Sequence, residues 1–189
     1  MNSKTKNIVG IGLFTAIVLV LQFLGGSIRF GMFSISLVLV PIVVGAAVYG
    51  WQAGAWLGFV FGLAVLLSGD AAAFLAVDVL GTILTVLVKG TAAGLCTGLL
   101  YMVMRRFMNK YVSVLIAAIA CPVVNTGIFL LGCRLFFFET ITAWGTAAGF
   151  ANAASYMFIG LAGTNFLIEL ATNLFLSPVI VRLISFAKK

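Results

Sequence analysis

Two ionisable side chains stand well inside apolar runs, Lys89 in TVLVKGTAAG and Glu169 in NFLIELATN. On insertion scales a charge at that depth costs about 2.5–3.5 kcal/mol or more, so each needs a partner of opposite charge or a wet cavity. Asp78, Thr82, Thr85 and Lys89 follow at i, i+4, i+7 and i+11, which puts all four on one helical face. Asn165, Glu169 and Asn173 repeat every fourth residue on a later run. Asn125 and Thr126 come just after Pro122, where a kink is expected to free backbone groups. Three helices therefore present polar groups at comparable depth. A cation, an anion, amides and hydroxyls collected in this way suit the recognition of a small, polar organic solute. Two arrangements stay open: a Lys89–Glu169 salt bridge that only holds the bundle together, and a substrate site that uses one or both charges.

Aromatic side chains flank this set. Phe136, Phe137, Phe138, Trp144 and Tyr156 read either as ligand contacts or, beside Arg134, as anchors at a membrane interface. Arg29 reads as an exposed loop charge or as a gate. Reaction chemistry is poorly served: there is no histidine, no GxxxxGK[ST] loop for nucleotide phosphates, and no Ser-His or paired-Asp arrangement. The cysteines Cys96, Cys121 and Cys133 lack CxxC spacing and read as small packing residues rather than metal ligands. The expectation is a protein that is not an enzyme and uses no cofactor and no metal.

The elements that must position these groups follow from composition. With 63% hydrophobic residues, 8% charged residues and a mean hydropathy of +1.27, the chain lies far outside the range of soluble domains. The expected fold class is an all-α membrane protein whose lipid-embedded bundle occupies residues 1–189 as a single domain. A spanning helix takes roughly 20 apolar residues, so the length accommodates about six. Apolar runs place them near residues 8–25, 34–50, 52–68, 74–103, 111–135 and 154–183. The first run lacks a convincing cleavage site and is expected to be retained.

Lys and Arg supply 11 residues, concentrated at the ends of apolar runs, and read as topology signals rather than as a nucleic-acid surface. Lys4 and Lys6, then Arg105, Arg106 and Lys110, then Arg182, Lys188 and Lys189 fall on one side of an even-numbered bundle, which puts both termini in the cytoplasm. The opposite side receives Arg29, Gly69, Asp70 and the stretch from Glu139 to Asn152. That stretch reads either as a plain connector or as a lid over a binding site.

Glycines recur every fourth residue at Gly50, Gly54, Gly58 and Gly62, and again at Gly90, Gly94 and Gly98, forming bare ridges on which helices approach closely. Gly12 and Ala16 form a shorter small-xxx-small pair on the first run, suited to internal packing or to a partner helix. Self-sufficient carriers commonly show two repeated halves. Here glycine-rich spans cluster in the middle and deep polar groups in the last three. Such asymmetry suggests a binding component that takes energy from elsewhere.

The segment SISLVLVPIVVGAAVYGWQAGAWLGFVFGL, with LVKGTAAGLCTGLLY and CPVVNTGIF after it, resembles the substrate-binding S components of energy-coupling-factor (ECF) vitamin transporters. The similarity covers most of the chain and rests on small-residue patterns, with Pro41 and the glycine ladder in place. The resemblance implies a six-helix S component in the bacterial plasma membrane that captures a vitamin or precursor outside. It also implies docking on a transmembrane coupling subunit, EcfT, that carries two cytoplasmic ATPases, followed by toppling of the S component. In the family an AxxxA-type motif on the first helix meets the coupling subunit. Gly12 and Ala16 match it, with glycine in place of the first alanine. The family's ligand site lies near the outer face among the last three helices and nearby loops. That region overlaps Lys89, Asn125, Asn165, Glu169, Asp78, Thr85 and Asn173, with Trp144, Tyr156 and Arg29 around it. The chain looks most like S components for pantothenate, whose carboxylate would meet Lys89 and whose amide and hydroxyls would meet Asn125, Asn165 and Glu169. An acidic residue in the same site is an objection to that ligand. Riboflavin, hydroxymethylpyrimidine, cobalamin and queuosine-type ligands stay open. So do a stand-alone solute carrier and a non-transporting scaffold.

Overall fold

Apolar runs of this length fold as helices because a helix satisfies its own backbone hydrogen bonds without water. The computed structural model describes residues 3–25, 29–30, 33–34 and 37–187. The described elements are α1 (Ser3–Gly25), β1 (Arg29–Phe30), β2 (Phe33–Ser34), α2 (Leu39–Tyr49), α3 (Trp51–Leu67), α4 (Ala72–Leu75), α5 (Val79–Phe107), α6 (Lys110–Phe136), α7 (Phe138–Ala147), α8 (Ala153–Ser155), a π-helical turn (Tyr156–Leu161) and α9 (Gly163–Ala187). Four helical stretches are long and apolar enough to cross a membrane: Thr5–Gly25, Val79–Phe107, Lys110–Phe136 and Ala153–Phe186. Leu39–Tyr49 and Trp51–Leu67 are shorter apolar helices. Large apolar side chains such as Leu67, Phe107 and Phe175 point outward, as lipid-facing positions do.

Three details depart from the expected spans. The second run begins as helix only at Leu39, because Ser34 pairs with Arg29 in a two-stranded antiparallel hairpin that alternation had not revealed. The fourth run breaks at Asp78, whose extended backbone (φ −145°) separates α4 from α5. The Glu139–Asn152 stretch is neither an irregular lid nor a plain connector, since most of it is α7. Thr142 and Thr146 donate their hydroxyls to the Phe138 and Thr142 carbonyls, and Ile141 and Gly145 are buried against the bundle. These two threonines satisfy their hydroxyls along the helix, which composition alone did not show.

α2 is buried from Pro41 through Ala47, as suits a helix that is apolar all round. Pro41 sits in its first turn, where a missing N–H costs little. Gly50 adopts φ +95° and donates its N–H to the Ala46 carbonyl, ending α2 and turning the chain directly into α3.

The glycine ridges meet each other. α3 and α5 run antiparallel, and a Cβ added at Gly54 or Gly58 would strike the carbonyl oxygen of Gly94 or Gly90 respectively. The reverse holds for Gly90 and Gly94, while Gly62 abuts the Val86 carbonyl and Gly98 abuts Trp51. Each step of four residues along α3 is matched by a step of four back along α5. The two backbones are in contact, a separation only glycine allows.

The two ends of the bundle differ. At one end Lys110 Nζ donates to Ser185 Oγ (2.6 Å), tying the start of α6 to the last turns of α9, and Tyr49 lies against Gly10 of α1. Lys6, Arg105, Arg106, Lys110 and Arg182 gather at this end; Lys188 and Lys189 lie outside the described residues. At the other end Gln22 Nε2 donates to Asp70 Oδ2 (2.6 Å) and to Ser68 Oγ (3.3 Å), joining the end of α1 to the turn after α3.

Candidate functional site

α5 carries two faces. Gly90, Gly94 and Gly98 turn toward α3, and the residues offset from them turn toward α6 and α9. On that second face Thr82, Thr85 and Lys89 line a cavity of about 610 Å³, counted with its open mouth. Asn165 and Glu169 line it from α9, Phe129 from α6 and Phe137 from the residue that caps α6, and Phe61 and Val65 from α3. Gln22, Asp70 and Phe74 complete the wall at the end opposite the basic cluster.

Lys89 stands ten residues into α5, about 15 Å from its start at 1.5 Å per residue. Its ammonium lies 5.1 Å from the Phe129 ring centroid and 6.0 Å from that of Phe61. Among the described residues it has no hydrogen-bond or ion-pair partner. Glu169 is 2% exposed; its Oε1 accepts from Asn165 Nδ2 (3.1 Å), and its Oε2 has no hydrogen-bond partner among the described residues. Lys89 and Glu169 thus face one cavity without the direct salt bridge that sequence reading had kept open. Cation–π contact with two rings partly offsets the desolvation of the ammonium.

A smaller cavity of about 290 Å³ adjoins the first, sharing Lys89, Phe129 and Asn165 and adding Asn125 and Thr126. Asn125 Oδ1, Thr85 Oγ1 and Asn173 Oδ1 are buried without partners among the described residues. Leaving such a group unsatisfied costs about 1–3 kcal/mol. Elsewhere on α5 threonines satisfy themselves: Thr82, Thr91 and Thr97 each donate to the carbonyl four residues back. Thr85 does not, and it packs on Gly132 of α6 instead.

The remaining expected residues divide. Asp78 occupies the N-cap of α5 beside Gly81 and does not line the cavity, because the helix begins after it rather than before it. Asn173 is 1% exposed and lies one turn deeper than Glu169, outside both cavities. Trp144 supports the wall from behind, edge-on to Phe74 at 5.6 Å. Tyr156 packs on Phe150 at 5.3 Å within the π-helical turn and does not line either cavity. Of the three consecutive phenylalanines only Phe137 is buried and lines the cavity; Phe136 and Phe138 face outward. Arg29 is placed by its backbone in β1, and its side chain lies outside the described residues. Gly12 and Ala16 are exposed on α1, and a Cβ at Gly12 would meet nothing within 4 Å.

Sequence reading missed Gln22, Asp70, Phe61, Phe74 and Phe129. Gln22 carried a signal, as the lone polar residue in LVLQFLGG and subject to the same cost argument as Lys89. Asp70 had been read only as an outer-loop marker. The phenylalanines carried no signal among 17 of their kind.

The site offers recognition groups around a partly aromatic chamber. Among the described residues no cluster of three His, Cys, Asp or Glu could hold a metal ion. The model of the family described as ECF transporter, substrate-specific component, matches residues 6–181. No curated protein matches the chain.

Proposed function

Because the chain belongs to the ECF transporter substrate-specific component family, a family of transporter substrate-binding components rather than enzymes, we propose that it captures pantothenate for ATP-driven uptake. Family membership carries with it, in general, a vitamin ligand and the coupling module of EcfT and its ATPases. The identity of the vitamin, the mechanism and the orientation are our reading. α1, α2, α3, α5, α6 and α9 with its π-helical turn form the six spans of a single S-component domain in the bacterial plasma membrane. The basic end faces the cytoplasm, with both termini, and the chamber faces outward.

The observation that carries this reading is the Lys89 ammonium, held over two phenylalanine rings in the 610 Å³ chamber without an ion-pair partner among the described residues. A carboxylate is the ligand group that best stabilises such a cation. Asn125, Asn165, Thr85 and Glu169 supply hydrogen bonds to an amide and hydroxyls, Trp144 backs the wall through Phe74, and Asp78, Asn173 and Tyr156 act from outside the cavities. Gly12 and Ala16 form the open patch that meets the coupling subunit. Four phenylalanines on the chamber wall favour a second reading, a flat ring such as riboflavin or hydroxymethylpyrimidine.

Calorimetry on purified protein tests the proposal. Pantothenate is expected to bind, and Lys89→Ala to weaken it by more than about tenfold. Unchanged affinity would remove Lys89 from the site; binding of a flat-ring vitamin alone would favour the second reading. A scaffold would bind neither, and a stand-alone carrier would drive uptake in vesicles lacking an ATPase.

A further inference from the structure

Away from the chamber, a second and larger hollow of about 1140 Å³, counted with the open space along its side, lies on the flank of the bundle between α6 and the α8–π-turn segment. Gly127, Leu130, Leu131 and Arg134 form its floor at i, i+3, i+4 and i+7 on α6. Ala154, Met157 and Phe158 make the facing wall. The groove runs about 10 Å along α6, from bare Gly127 inside the apolar depth to Arg134 two residues from the helix end. In a bilayer this flank position makes acyl chains its neighbours.

The cations outside the basic end are Arg29, Lys89 and Arg134, so Arg134 is an exception to the charge asymmetry of the bundle. Its guanidinium stacks on Phe138 at 3.9 Å, which fixes it at the groove mouth. Among the described residues no carboxylate pairs with it, although Glu139 lies on the next helix. Asn152, also at the mouth, accepts from Ser155 N and Ser155 Oγ through its Oδ1, which leaves its amide N–H groups to donate outward. An apolar trough headed by a guanidinium and an amide donor is complementary to an acyl chain headed by a phosphate.

We propose that this groove is a binding site for one anionic phospholipid, with an acyl chain along Gly127–Leu131 and its phosphate on Arg134 and Asn152. The inference needs only that the chain sits in a bilayer and is independent of which vitamin the chamber takes.

Native mass spectrometry of delipidated protein titrated with phosphatidylglycerol or phosphatidylcholine tests it. The wild type is expected to hold one phosphatidylglycerol roughly tenfold more tightly than phosphatidylcholine. Arg134→Gln should erase that preference, and Gly127→Leu should weaken both lipids. Both residues are exposed and a Cβ at Gly127 meets nothing within 4 Å, so neither change should lower the melting temperature. Equal affinities in the wild type, a preference that survives Arg134→Gln, or a lipid-free dimer closing the groove would each overturn the proposal.

Discussion

The two faces of α5 are built on opposite principles. Toward α3 the closest contacts are made by glycines, the backbones touch, and the carbonyls of Gly54, Gly58, Gly90 and Gly94 fill the space a side chain would occupy. Toward α6 and α9 the same helix presents Thr82, Thr85 and Lys89 to a chamber, with polar atoms left unsatisfied by the protein. In lipid the apolar effect between helices is weak, so close van der Waals contact at the seam holds the bundle. A rigid seam on one side lets the other side keep costly polar groups in place, and the proposed function gives those groups a solute to hold.

The largest expected effect lies on the seam. Gly94→Leu forces a side chain into the Gly54 carbonyl and should lower stability by at least about 1–3 kcal/mol, read as melting temperature in detergent. If Gly94→Leu melts like the wild type, the seam is not the structural element described. Next comes Lys89→Met, which should keep the melting temperature while weakening an anionic ligand about tenfold or more in calorimetry. Loss of folding in place of loss of affinity would move Lys89 to the structural side of the contrast. Gln22→Leu removes one donor to Asp70 on the chamber wall and should cost about two- to tenfold in affinity. The smallest effect on binding belongs to Gly12→Leu, at an open position on α1, which should leave affinity within about twofold. The same change should cut uptake by the assembled transporter if α1 is the coupling surface. Normal uptake would place that surface elsewhere.

Much of this contrast was legible in the residues. Spacing alone put Lys89, Thr85 and Thr82 on one face and Gly90, Gly94 and Gly98 on another, because helical periodicity is a local property. The unsatisfied charges Lys89 and Glu169 announced a cavity for the same reason that lipid penalises them. What spacing does not encode is where a helix starts. Asp78 belongs to the same stripe, yet the chain turns there and it falls outside the chamber. The meeting of Gln22 with Asp70 depends on packing between helices far apart in the chain, and the hairpin Arg29–Ser34 depends on a register too short to leave a pattern. α7 escaped because the hydroxyls of Thr142 and Thr146 bond along the helix, so a segment that reads as polar connector folds as helix.

The central claim, that the polar face of α5 holds a solute while its glycine face holds the fold, meets its most direct test in the ligand that travels with the protein. Mass spectrometry of small molecules released from gently purified wild type, beside the Lys89→Met, Glu169→Met double variant, supplies it. The expected result is one polar organic solute per chain released from the wild type and none from the variant, with both proteins folded. An equal yield from the two, or a wild type that carries no solute and takes up none from a vitamin mixture, would contradict the account.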